Sequence, residues 1–253
     1  MLKSYLKYRK SRLNAHGIHS PFVFEFYNAV IKLAKKRDTG KVEQFRKKLY
    51  CDKSTVRFED FGAGSRKNKG DIRVISEIAK NAGVKPKYGR LLAQLVDHYA
   101  VESALELGTS VGLAASYLLN GNSQLQLISI EGCEAIADFA QRQFDRNDNV
   151  RLMQGEFSVV LADPQFNDLK FDLVYIDGNH QLAPTLNYFE FALNHIDDES
   201  FIIFDDIHWS DEMEQAWQTI IEDNRVHVTM DLFQFGIVCL RKGQRKQHFV
   251  LKY

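Results

Sequence analysis

The stretch Ala104–Gly112, ALELGTSVG, decides how the rest of the chain is read. Residues 103–107 (SALEL) are a short apolar run with strand character, and residues 110–119 (SVGLAASYLL) have the density of a buried helix. Strand, glycine turn and helix in that order make a nucleotide-binding elbow. The strand fixes the turn at the carboxyl edge of a sheet, the glycines admit a ligand to the backbone, and the helix N-terminus offers unpaired N–H groups. A second acid-and-glycine stretch, Glu59–Ser65 (EDFGAGS), lacks these neighbours. A charged segment precedes it, and a basic loop with Arg66, Lys67 and Lys69 follows. A cofactor is therefore expected at Gly108–Gly112.

Outward from the elbow the pattern repeats. LQLISIE (125–131), NVRLMQG (149–155), FDLVYID (171–177) and SFIIFDD (200–206) read as further strands, and helical segments follow most of them. Near-continuous apolar strands alternating with helices predict a doubly wound α/β domain, its parallel sheet covered on both faces. The end of the chain breaks the rhythm. VHVTMDL (226–232) and FGIVCLRK (235–242) are separated by two residues, too few for a parallel crossover, so they must pair antiparallel. The expected fold is a Rossmann-like seven-stranded sheet with an antiparallel last strand.

Residues 1–84 read differently, as a mostly helical extension before a domain spanning 85–253. Ser20 and Pro21 stand as N-cap and first residue of one helix, and RVISEIAKNAG and YGRLLAQLVDHYA supply two more. The formal net charge is zero, but residues 1–90 hold 23 Lys+Arg against 8 Asp+Glu, while residues 91–253 hold 10 against 25. That division suits either a basic segment folded on an acidic domain or a basic face for an anionic partner. Three scattered cysteines exclude a disulfide framework or a Cys-x-x-Cys zinc site. The basic N-terminus has no apolar signal core, and no run of apolar residues is long enough to span a bilayer, so a cytoplasmic protein is expected.

The elbow also restricts the ligand. A dinucleotide turn places a glycine where Ser110 stands, and the Gly-Lys-Ser/Thr of a phosphate loop is absent. Glu106 lies two residues before the first glycine and suits a cationic end. Glu131, closing the second strand, suits two ribose hydroxyls. A ribose and a positively charged amino acid without a pyrophosphate describe S-adenosylmethionine (SAM).

With ALELGTSVG, ISIEG, MQGEF, LVYIDGNH, IIFDDIHW and the closing hairpin in this order, residues 85–242 resemble the class I SAM-dependent methyltransferases. Among these they are similar to the catechol and caffeoyl-CoA O-methyltransferase type. The resemblance implies that Glu106, Gly108, Thr109, Ser110 and Gly112 face the methionine part of SAM. It places Glu131 on the ribose, Glu156 and Phe157 beside the adenine, and Asp177 below the sulfonium. It further implies a divalent cation, Mg²⁺ or another, on Asp177, Asp205 and Asp206, with the departure that Asp206 replaces the usual amide. His180 and His208 within reach would favour a softer metal. His180 stands where this type carries a lysine base, and with Asp177 it is the expected catalytic pair. Trp209 is either a wall of the acceptor pocket or a packing residue. The expected acceptor is a small molecule, with an anionic one favoured if the 62–70 loop (GAGSRKNKG) closes as a lid. A nucleic-acid methyltransferase using the basic segment, a non-catalytic binding module and a homodimer remain open; no Asn/Asp-Pro-Pro-aromatic motif supports the first.

Overall fold

A computed structural model describes residues 2–57 and 71–253. The EDFGAGS stretch and the 62–70 loop, with the lid expected there, lie outside the described residues. Two sheets are present among those described. A small antiparallel ribbon joins β1 (Thr55–Arg57) to β2 (Ile72–Val74) within the segment read as mostly helical. The main sheet contains β3 (Ser103–Leu107), β4 (Gln126–Glu131), β5 (Val150–Gln154), β6 (Leu173–Ile176), β7 (Phe201–Phe204), β8 (Val228–Asp231), β9 (Gly236–Cys239) and β10 (Gln247–Val250). Their order is β10-β8-β9-β7-β6-β3-β4-β5.

The expected seven strands are therefore corrected to eight. The β8–β9 hairpin is antiparallel, as its short connection requires, and β9 also runs antiparallel to β7. The added strand, β10, pairs parallel with β8 at the sheet edge. Gln247 and His248 are exposed, and the apolar run that follows, Phe249 to Leu251, is too short to betray a strand in the sequence.

Each face of the sheet carries its own apolar layer. Helices Pro86–His98, Leu113–Gly121 and Glu134–Phe144 cover one face; Leu182–Asn194 and Asp211–Glu222 cover the other. Strand alternation sends Ala104 and Glu106 to the first face and Leu105 and Leu107 to the second. The same register puts Glu106 beside Ser129 on β4 and Tyr175 on β6. Because β3 has β4 on one side and β6 on the other, the chain reverses direction across the sheet here, and a crevice opens at the carboxyl ends.

The N-terminal residues share the first apolar layer. Val23, Phe26, Val30 and Ile31 are buried in one cluster with Leu91, Leu92, Tyr175 and Phe201. Ser20 Oγ accepts from Val23 N–H at 3.4 Å, and Pro21 opens the helix as its sequence predicts. A π-turn at Tyr27–Ile31 interrupts that helix. The two ends of the chain clasp each other. Leu13 N–H donates to Val250 O at 2.7 Å, Lys252 N–H to Leu13 O at 2.8 Å, and Tyr8 OH to Leu251 O at 2.7 Å. Among the described residues, no helix is long and apolar enough to cross a membrane.

Helices Pro86–His98 and Leu113–Gly121 meet at Gly89. A Cβ there would lie 2.2 Å from the Tyr117 ring. Gly89→Ala is expected to cost about 1–3 kcal/mol through forced repacking. Urea denaturation measures it, and an unchanged midpoint would contradict this packing.

Candidate active site

The turn after β3 is bound to its neighbours through the backbone. Gly108 and Thr109 N–H groups donate to Ile130 O at 2.9 and 3.3 Å. Gly108 has φ +104°, and a Cβ on it would stand 2.0 Å from the Asp177 carbonyl oxygen. Only glycine satisfies both the left-handed backbone and the contact. Gly112 has φ +80° and would meet Phe144 in the same way. Ser110, at φ +50°, holds a conformation uncommon for a residue with a side chain.

Glu131 explains part of that strain. One carboxylate oxygen accepts from Ser110 N–H at 2.8 Å and the other from Cys133 N–H at 3.0 Å. The carboxylate thereby braces the turn after β3 against the turn after β4. Each oxygen retains acceptor capacity for another donor. Burial pushes the Glu131 carboxyl up, against the lowering pull of the Cys133, Ser110 and Gly132 amides.

Glu106 is fully buried at 0% exposure. Ser129 Oγ donates to its Oε2, and Thr109 Oγ1 lies 2.5 Å from the same hydroxyl. Its Oε1 has no well-formed hydrogen bond. Burial, with Glu131 nearby, pushes this carboxyl from an ordinary 4.5 up to about 8, against the pull of Ser129 and the Ala115 amide. A buried acid with an orphan oxygen is a receptor for a cationic group. The donor chemistry of this turn thus fits an aminoacyl nucleoside: a carboxyl for an ammonium and a second for hydroxyls.

Asp177 and Asp205 lie on the neighbouring strand ends, joined through Tyr175, whose hydroxyl is 3.1 Å from Asp177 Oδ2 and 3.1 Å from Asp205 Oδ2. One hydroxyl proton serves only one acid at a time. Burial, then repulsion from Asp206, raises Asp177 to about 8; burial and Asp177 raise Asp205. Asp205 Oδ1 accepts from Asp206 N–H at 2.7 Å. Asp206 itself has φ +53°. The fold brings the three aspartates to one rim. Among the described residues, however, no group of three or more His, Cys, Asp or Glu side chains is arranged to hold a metal. Both Asp205 oxygens are engaged inside the protein instead.

His180 Nε2 lies 3.7 Å from Asp177 Oδ1. Burial lowers its pKa, partly offset by Asp206, so the ring is neutral near pH 7 and able to accept a proton. His208 does different work. Its Nε2 meets Asp231 Oδ2 at 2.9 Å, its Nδ1 meets Glu214 Oε1 at 3.2 Å, and it stacks on Phe233 at 5.3 Å. Burial lowers its pKa, but the pair of acids overcomes this and raises it. His208 is a strut between β8 and the last long helix. Trp209 N–H donates to Asp206 O at 2.8 Å and helps close the turn after β7.

Glu156 caps its own helix, accepting from Ser158 N–H at 3.1 Å and Ser158 OH at 2.5 Å, and these bonds lower its pKa. Phe157 sits edge-on to Tyr188 at 5.6 Å, and a Cβ on Gly178 would touch its ring at 2.7 Å. It therefore borders the crevice beside the turn after β6. Ser129 and Tyr175 are site residues that sequence motifs pass over. Their only signal is alternation: they share the Glu106 face of their strands.

Residues 105–207 match a methyltransferase-domain family model. No curated protein is similar enough in sequence to match. The fold is shared with solved methyltransferase structures. An O-methyltransferase from Bacillus cereus in complex with S-adenosylhomocysteine (SAH) is 23% identical, with TM-score 0.53, over 62% of this chain and 81% of that one. An SAH-bound methyltransferase from Podospora anserina is 14% identical, with TM-score 0.61, over 88% and 99%. A Staphylococcus aureus protein provisionally assigned as a caffeoyl-CoA O-methyltransferase is 16% identical, with TM-score 0.61, over 84% and 98%.

The raised Glu106 carboxyl has a consequence for stability. Between pH 4.5 and about 8 the folded protein holds a proton that the unfolded chain has released, so stability falls as pH rises through that window. Glu106→Gln keeps a partner for Ser129 and removes the titration. Urea denaturation at both ends of the window is expected to give a flatter pH dependence for the variant; parallel curves would contradict the assignment.

Proposed function

We propose that this protein is a SAM-dependent methyltransferase acting on an oxygen of a small-molecule acceptor. The observation that carries the reading is the braced turn after β3: Glu131 ties Ser110 to Cys133, with a fully buried, half-paired Glu106 beneath. The methyltransferase-domain match supports it, as do the SAH-bound structures that share the fold.

In this reading Glu131 receives the ribose hydroxyls on its spare lone pairs, and Glu106 faces the ammonium. Phe157 offers its ring to the adenine. Glu156 is engaged as a helix cap, so its remaining acceptor capacity is what the exocyclic amine would meet. SAM, when bound, supplies a methyl group already activated on a sulfonium. The chain's part is then alignment and proton removal, and alignment of this kind is worth roughly 7–11 kcal/mol. His180, neutral near pH 7, takes the proton from the acceptor hydroxyl as the oxygen attacks in line. Asp206, the acid whose charge acts on His180, favours the imidazolium so formed. The route runs through His180 and requires no metal ligand set.

Titration calorimetry with SAM and SAH tests the reading. Both are expected to bind the wild-type protein, and Glu131→Ala is expected to weaken SAH by at least about tenfold, the loss of roughly one charged hydrogen-bond pair. No binding to the wild type, or equal affinity in the variant, would overturn it.

A further inference from the structure

Glu106 Oε1 is not alone as an unpaired oxygen at the crevice. Asn179, two residues past Asp177 in the turn after β6, has a buried side-chain carbonyl oxygen with no hydrogen bond. The other end of the same amide is held: Nδ2 donates to Tyr188 OH at 3.3 Å. Tyr188 is 3% exposed and meets the Phe157 ring edge-on. Burial raises its pKa, Asn179 pulls it down, and the Glu156 charge adds to the rise, so the phenol stands between the turn after β5 and the turn after β6. Gly178 lets the two turns come this close, since a Cβ there would lie 2.7 Å from the Phe157 ring. The Asn179 amide, Tyr188 and Phe157 thus form one chain of contacts along the side of the crevice that receives the base.

The backbone of Asn179 is tightly set. Gln181 N–H donates to its main-chain carbonyl at 2.6 Å, and its φ is +51°. Asparagine is among the few residues with a side chain that tolerate this region. Glycine adopts it with less strain, so the turn alone does not call for an amide here. The Tyr188 bond fixes one end of the amide and leaves the other an acceptor without a donor, which is destabilising when buried. A carbonyl oxygen only accepts, so a ligand that satisfies it must bring an N–H or O–H.

We propose that Asn179 selects the adenine base of the methyl donor by accepting, on Oδ1, a hydrogen bond from its exocyclic amine. This assignment deepens the methyltransferase reading and rests on it for the presence of an adenosyl ligand. A base stacked on Phe157 turns its edge toward the amide that Tyr188 holds. On that edge the ring nitrogens of adenine accept and the amine alone donates. The Glu156 carboxylate has Ser158 on both of its oxygens and is left the weaker partner for the amine. The Asn179 oxygen opposes hypoxanthine and guanine, which carry a carbonyl oxygen at the position of the amine and would set one acceptor against another.

The test is calorimetric titration of the full chain with SAH and with its purine analogue, which has hydrogen in place of the amine. The wild type is expected to bind SAH about tenfold more tightly than the analogue, the loss of one hydrogen bond to a buried acceptor. Asn179→Gly keeps the left-handed turn and removes the amide; it is expected to bind the two ligands within about twofold of each other. Asn179→Asp keeps an acceptor oxygen and should retain the preference. Tyr188→Phe leaves Asn179 in place without the phenol that orients it, and should narrow the preference. A purely structural role for the amide would weaken both ligands equally in Asn179→Gly and leave their ratio as in the wild type. That unchanged ratio, or a wild type that binds the two ligands equally, would overturn the assignment even with SAH binding intact. Where Asn179→Gly binds neither ligand, an unchanged ratio in Tyr188→Phe does the same. No SAH binding by the wild type would instead strike the methyltransferase reading, and this assignment with it.

Discussion

The backbone at Gly108 lies so near the Asp177 carbonyl that no side chain fits between them, and the site is built around this approach. It requires β3 and β6 to be parallel neighbours, with the turns leaving them side by side. Those turns then present two different chemistries to one crevice. The β3 side offers carboxyls and backbone; the β6 side offers Asp177 and His180. Glu131 holds the β3 turn from the other flank through Ser110 and Cys133. Close packing here transmits small displacements, since a shift of the β6 turn would press directly on the turn after β3.

A second constraint comes from the chain ends. Tyr8, Leu13, Val250, Leu251 and Lys252 bond across the termini, and Tyr5 and Tyr8 pack on Phe233, which stacks on His208. The N-terminal helix thus reaches, through Phe233 and His208, the loop that carries Asp206. Phe233 pays for this position with φ +74°, strain held in place by Asp231 Oδ1, which accepts from its N–H at 2.7 Å. The N-terminal segment is therefore a structural partner of the rim that carries Asp206.

Much of this was legible in the sequence because it depends on local signals. The elbow at 104–112, the Ser20–Pro21 helix start and the β8–β9 hairpin follow from glycine placement, capping chemistry and loop length. What escaped depends on tertiary context. The edge strand β10 has only a three-residue apolar run, and the β1–β2 ribbon sits in a charged stretch. His208 looked like a site histidine by position, but its two acidic partners come from residues 214 and 231, beyond any local pattern. The helix-capping bonds from Ser158 to the Glu156 carboxylate are not visible in its motif. The orientation of Asp177 and Asp205 follows from Tyr175, whose importance only the strand register reveals.

The central claim is that the Glu131-braced turn is where an adenosyl ligand binds, and amide hydrogen exchange with and without SAH tests it at residue level. Slowed exchange confined to the Gly108–Gly112 turn and the Glu131–Cys133 turn is the predicted result. Exchange unaltered there, or protection centred on another part of the chain, would contradict it.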